Sequence, residues 1–131
     1  MKVICRKIFS MVTYEDLGDS SPWLTIGKSY VVLAVKFTLK AGVFVLIHSD
    51  NYGVPIFINL LGFEVESKLI PPSWDTVNYY GDIYMMPKSW MYEAFLDEVE
   101  ERVPEAIDLF YLEAKKMNQQ EGFSLKFPNE H

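Results

Sequence analysis

The chain has a single cysteine, Cys5, so it forms no internal disulfide and offers no thiolate pair to zinc. Cys5 itself reads as a small buried hydrophobe in a first strand. Histidine is nearly as scarce. His48 lies within an apolar run and His131 ends the chain, which leaves no histidine pair for a metal or a proton relay. Glycine-rich phosphate loops, nucleophile elbows and zinc-type spacings are all missing. Carboxylates are plentiful, yet two of them fall at a glycosidase-like separation too easily by chance to mark a site. These absences predict a protein with no catalytic site, no metal and no other cofactor.

Long hydrophobic runs are lacking too. No stretch approaches the ~18 to 20 apolar residues of a membrane-spanning helix. Residues 1–12 carry Lys2, Arg6 and Lys7 inside their apolar run and no small-residue cleavage site, so they do not read as a signal peptide. The expected compartment is the reducing cytosol. Positive charge is in deficit, with a net charge of −6. Residues 1–48 hold six basic and three acidic side chains, a balance of +3, whereas residues 49–131 hold six basic and fifteen acidic, a balance of −9. Affinity for nucleic acid or for an anionic membrane needs the opposite sign. The acidic half is suited instead to a basic protein partner.

What is present describes one domain spanning residues 1–131. Half of the residues are hydrophobic, too many for a disordered chain and enough for a core of this size. Val3 to Phe9 alternates loosely and reads as an edge strand, and residues 15–22 form a loop of turn formers. Leu24 to Ile26 begins a run of strands. From Tyr30 to Phe37 apolar residues lie on both faces, as in a strand covered on both sides. Lys40-Ala41-Gly42 turns the chain into a second apolar strand from Val43 to Ser49. A strong turn at Asp50-Asn51-Tyr52-Gly53 precedes strands over 56–59 and 62–66. Residues 70–88, punctuated by Pro71, Pro72, Gly81 and Pro87, read as irregular. The period then changes. Ser89 is placed to cap a helix whose Met91, Phe95, Val99 and Val103 recur every four residues. Pro104 opens a second helix with a stripe of Ala106, Ile107, Phe110, Ala114 and Met117, and Gly122 ends it. The expected fold is α+β, a meandering antiparallel β-sheet or small SH3-like barrel followed by a C-terminal helical hairpin. A tail from Phe123 to His131 could dock through Phe123, Leu125 and Phe127.

Two features point to a binding surface. Glu93, Asp97, Glu100 and Glu101 fall three or four residues apart, hence on one helical face away from Phe95 and Val99. Like charges so spaced repel by a few tenths of a kcal/mol per pair, and only Glu98 and Arg102 offer internal relief. The segment 74–90 gathers Tyr79, Tyr80, Tyr84, Met85, Met86, Trp74 and Trp90, together with Asp75 and Asp82. Tyrosines are favoured interface anchors, and methionine adapts to irregular surfaces. The two tryptophans read as a plug for the end of the sheet, and the tyrosines as exposed.

Several stretches resemble small bacterial immunity proteins encoded beside polymorphic or contact-dependent growth-inhibition toxins. They are Leu24-Thr-Ile-Gly-Lys-Ser-Tyr-Val-Val, Asp50-Asn-Tyr-Gly, Phe63-Glu-Val-Glu-Ser, Ile70-Pro-Pro-Ser-Trp and Pro87-Lys-Ser-Trp90 ahead of the acidic helix. The resemblance covers residues 24–110. It implies a cytosolic protein that binds one toxin domain, often a nuclease, and blocks its active site. The Gly27-Lys28 turn with Tyr30 also resembles the opening of SH3-like barrels. An alternative is therefore a peptide-binding adaptor with a surface groove of Tyr30, Tyr52 and Trp74.

Overall fold

The structure, a computed structural model, describes residues 1–10, 13, 15–18, 21–50 and 55–123. Eight strands form two antiparallel sheets. They are β1 (Lys2–Cys5), β2 (Ser29–Val31), β3 (Ala34–Thr38), β4 (Gly42–His48), β5 (Pro55–Asn59), β6 (Phe63–Ser67), β7 (Trp74–Tyr79) and β8 (Asp82–Pro87). The smaller sheet runs β2-β1-β6 and the larger β5-β4-β3-β8-β7. A 3₁₀ turn over Lys88–Trp90 leads to α1 (Phe95–Glu100) and α2 (Pro104–Gln120). The α+β class and the order of strands before helices agree with the sequence. Among the described residues the sheets remain separate, and no pairing closes a barrel.

The apolar run from Tyr30 explains the division. Residues 30–35 are all buried, as a doubly covered strand should be, but they do not belong to one strand. The Val32 amide bonds to the Met1 carbonyl at 2.9 Å, and the next amide, of Leu33, bonds to the Leu46 carbonyl at 2.8 Å. The chain thus crosses from one sheet to the other between these two residues. The expected single meander from Leu24 to Glu66 is accordingly split, because β2 and β6 leave β3–β5 to flank β1. β1 is the centre of the smaller sheet rather than an edge, and Leu24 to Ile26 forms no strand. Cys5 is fully buried there, and burial, with the Asp50 charge adding to it, pushes its thiol pKa up. Apart from Asp50, the expected 50–53 turn lies outside the described residues, as does the tail beyond Phe123.

Residues 70–88 correct the sequence reading most. They contain a hairpin in which β7 pairs with β8, and β8 pairs in turn with β3. The glycine and prolines read as loop signals sit at strand boundaries. Pro71 and Pro72 precede β7, Pro87 is the last residue of β8, and Gly81 belongs to the turn. That turn has two residues, Tyr80 and Gly81, with φ of 53° and 89°. Left-handed backbone at both positions is the type I′ geometry that matches the twist of a hairpin.

The helical third begins later than expected. Ser89 caps nothing; it lies within the 3₁₀ turn, and α1 starts at Phe95 behind Ala94, without a side-chain cap. Phe95 and Val99 are buried by α1, whereas Met91 and Val103 flank it. Pro104 opens α2 as expected, and Ala106, Phe110, Ala114 and Met117 form its buried stripe. The end of α2 is a Schellman motif. Phe123 N–H donates to the Asn118 carbonyl at 2.8 Å and Gly122 N–H to that of Gln119 at 3.0 Å, with Gly122 at φ 83°.

The largest core side chains meet where helices and larger sheet join. The Trp90 ring stacks between Phe95 at 5.3 Å and Phe110 at 5.1 Å, and His48 of β4 meets Phe110 edge-on at 5.4 Å. Trp90 Nε1 donates to the Leu109 carbonyl at 3.2 Å, and Trp74 Nε1 to Met117 Sδ at 3.2 Å. Both tryptophans are thus structural, as expected of a plug.

Phe110 is fully buried, so Phe110→Ala should lower unfolding free energy by about 3 to 5 kcal/mol in urea titrations. A tighter constraint sits at Gly62, whose carbonyl accepts the amides of Arg6 and Lys7. At φ 92°, an added Cβ would stand 2.6 Å from the Lys7 carbonyl oxygen, so Gly62→Ala should cost more than ~1 kcal/mol in the same titration. An unchanged midpoint for either variant would refute the packing described for it.

Candidate functional site

Strand register sets the floor of the main cleft. Lys36 of β3 lies opposite Phe44 on β4 and Tyr84 on β8, and Leu46 of β4 lies opposite Phe57 on β5. Phe57 and Tyr84 meet edge-on at 6.1 Å, and Tyr79 tilts against Tyr84 at 5.7 Å. Lys36 Nζ stands 5.9 Å from the centre of the Phe57 ring and 5.6 Å from that of Tyr84, within cation–π range of both. Its carboxylate partner is Asp82, at 3.9 Å. The opposite bank is the segment 92–97, which brings Tyr92, Glu93, Leu96 and Asp97 over this floor. The open cleft between them measures about 360 Å³.

Tyr80 is the most prominent side chain at the rim. It is 89% exposed, and its left-handed φ of 53° is unfavourable for any residue with a Cβ. Its hydroxyl donates to the Glu93 carboxylate, a contact that joins hairpin tip to helical bank and pushes the phenol pKa up. A second cleft of about 360 Å³ continues along α1 past Leu46, Pro55, Val99 and Glu100. Both clefts are lined by Phe57, Leu96 and Asp97, so they form one groove with α1 as its bank.

The structure gathers Tyr79, Tyr80, Glu93, Asp97 and Glu100 along this groove, with Asp82 attached through Lys36. Two sequence expectations change. Glu93 precedes α1 and therefore shares no helical face with Asp97; it reaches the same cleft through the turn and the Tyr80 contact. Asp75 lies at the far end of β7, 3.8 Å from Lys88 Nζ, and Glu101 caps the exposed end of α1; neither lines the groove. Lys36, Phe57 and Leu96 went unnoticed in the sequence because the β3–β8 pairing that assembles them depends on a hairpin read as loop. Tyr30 and Trp74, two of the three aromatics expected of a peptide groove, are buried, and Tyr52 lies outside the described residues.

A separate polar cluster surrounds Asp50. Its carboxylate accepts Lys28 Nζ at 2.5 Å, Thr25 Oγ1 at 2.7 Å and the Tyr30 hydroxyl at 3.0 Å. Burial works to raise the Asp50 pKa, but these bonds and the Lys28 charge outweigh it and hold the group below its usual 3.8. Burial, reinforced by Asp50, pushes Tyr30 up to about 12. Among the described residues, no group of three or more His, Cys, Asp or Glu side chains is placed to hold a metal. Among the described residues, no helix is long and apolar enough to cross a membrane. Comparison of the chain with protein families, with curated proteins and with solved structures finds no match.

His48 supplies a pH signature. Burial against the helices lowers its pKa from 6.5 to about 4. The unfolded chain therefore takes up this proton near pH 6.5 while the folded chain resists until about 4. The His48 contribution is constant above pH 6.5, and stability should fall by ~3 kcal/mol as pH drops through that window. Asp50, whose pKa is depressed, loses its contribution only below 3.8. Urea titrations at a series of pH values should show the upper loss in wild type and its disappearance in His48→Leu. Identical pH profiles for the two proteins would rule out His48 as its source.

Proposed function

We propose that this chain is a cytosolic, non-catalytic immunity protein that binds a cognate toxin domain, basic and nuclease-like, and blocks its active site. The observation that carries this reading is the groove along α1. Carboxylates of Glu93, Asp97 and Glu100 line it, its floor is aromatic, and Tyr80 is presented at its rim on a strained turn. Among the described residues neither Asp97 nor Glu100 meets a basic side chain within the molecule. A basic surface is the complement of such a groove, since unpaired carboxylates steer encounter and desolvated aromatics supply residence time. A nuclease is basic where it grips phosphates, so an acidic occupant competes with its substrate by charge as well as by shape. The resemblance of residues 24–110 to immunity proteins of growth-inhibition systems supports the same reading.

The test is co-expression with the product of the neighbouring gene, with association kinetics followed at two salt concentrations. On-rates should fall steeply with ionic strength, and Asp97→Lys with Glu100→Lys, both on the groove, should slow association more than it speeds dissociation. Tyr80→Ala should instead raise the off-rate by about tenfold or more, the loss of an anchor worth ~2 kcal/mol. A complex whose on-rate ignores both salt and charge reversal would mean that the acidic groove is only solvated surface.

A further inference from the structure

A cleft of about 250 Å³ opens between β2, the end of β4 and the last turn of α2, away from the α1 groove. Its lining includes Ser49, which is only 7% exposed and whose Oγ is buried with no hydrogen-bond partner. Burying a hydroxyl unbonded costs free energy that a polar occupant would recover. Asn118, also buried, donates Nδ2 to the Ala114 carbonyl at 2.8 Å, which leaves Oδ1 as a spare acceptor on the same wall. Lys28 lines the other side. One of its three N–H groups is committed to Asp50 and two are not. Asp50 itself is saturated by Lys28, Thr25 and Tyr30, so it shapes the site without being free to hold a ligand.

We propose that this cleft binds a small zwitterion, a free α-amino acid with an aliphatic side chain. Lys28, Asn118 and Ser49 thus offer one cationic donor, one neutral acceptor and one hydroxyl able to serve as either. They match a carboxylate on Lys28, an ammonium on Asn118 Oδ1 and Ser49 bridging the two. The carbonyl end of α2, with its partial negative charge, also favours the ammonium on the Asn118 side. Val31, Leu33 and Phe123 give an apolar wall for the side chain. The cleft, about 250 Å³, has room for a molecule the size of valine. This site is independent of the toxin-binding groove.

Calorimetric titration of the full chain with L-valine, N-acetylvaline and valinamide tests the assignment. Valine should bind saturably, and each blocked analogue, lacking one charge, should bind at least tenfold more weakly. Ser49→Ala should lose about tenfold in valine affinity while its thermal midpoint holds or rises, because the hydroxyl it removes is unpartnered. If that variant does not fold, Lys28→Gln should show the same loss, and Tyr80→Ala, outside the cleft, should show none. The proposal is overturned if valine gives no saturable heat, which would leave a cleft holding water alone. It is equally overturned if the analogues bind as well as valine, or if the folded variant at position 49, or at 28 in its place, retains wild-type affinity.

Discussion

The helical bank of the groove depends on Trp90 lying between Phe95 and Phe110. Each stacked pair adds about 0.5 to 1.5 kcal/mol beyond the burial of the rings. More consequential is what the three rings connect: the 3₁₀ turn leaving β8, the start of α1 and the middle of α2. A helix of six residues has no independent stability in water. α1 exists because Phe95 and Val99 are buried, and it lies where Trp90 puts it. The indole nitrogen, bonded to the Leu109 carbonyl, removes the one polar penalty that so buried a tryptophan would bring. Loosening this stack would release the bank of the groove before it disturbed the floor.

The core was legible in the sequence wherever a single periodicity governed a segment. The stripe of α2 emerged because Ala106, Phe110, Ala114 and Met117 repeat at helical spacing over several turns, between a proline and a glycine. The alternations leading to β4, β5 and β6 were equally clear. Where two periodicities or two sheets meet, the pattern fails. The run from Tyr30 to Val35 is apolar throughout whether it continues one strand or crosses between two, so burial alone could not locate the crossing. In β7 and β8 the punctuation is ambiguous, because glycine and proline mark the ends of strands as well as the bodies of loops.

The candidate site was legible as composition and not as arrangement. Tyr79, Tyr80, Glu93 and Asp97 stood out by residue type, and they do line one cleft. Their meeting depends on the hairpin turn that carries Tyr80 to Glu93, a contact across thirteen residues that no spacing rule contains. Lys36 is the opposite case. As an isolated cation in a strand it carries no signal, yet between Phe57, Tyr84 and Asp82 it shows that the cleft already accommodates a positive group. The Asp50 cluster carries no sequence signal for the same reason, since Thr25, Lys28 and Tyr30 lie 20 to 25 residues before it and reach it only through the fold.

The pairing of β1 with β6 has a consequence in time. Lys2–Cys5 is made first during synthesis, but its neighbour Phe63–Ser67 follows some sixty residues later, and the stripe of α2 that covers the core comes later still. Contacts so distant along the chain make folding slow relative to a helical bundle of the same length. They also deny a partly synthesised chain any stable place to stop. A growing chain of this protein can therefore pair β1 with β2 early, but the other edge of β1 stays open until β6 has been made, and the groove along α1 is among the last features to form.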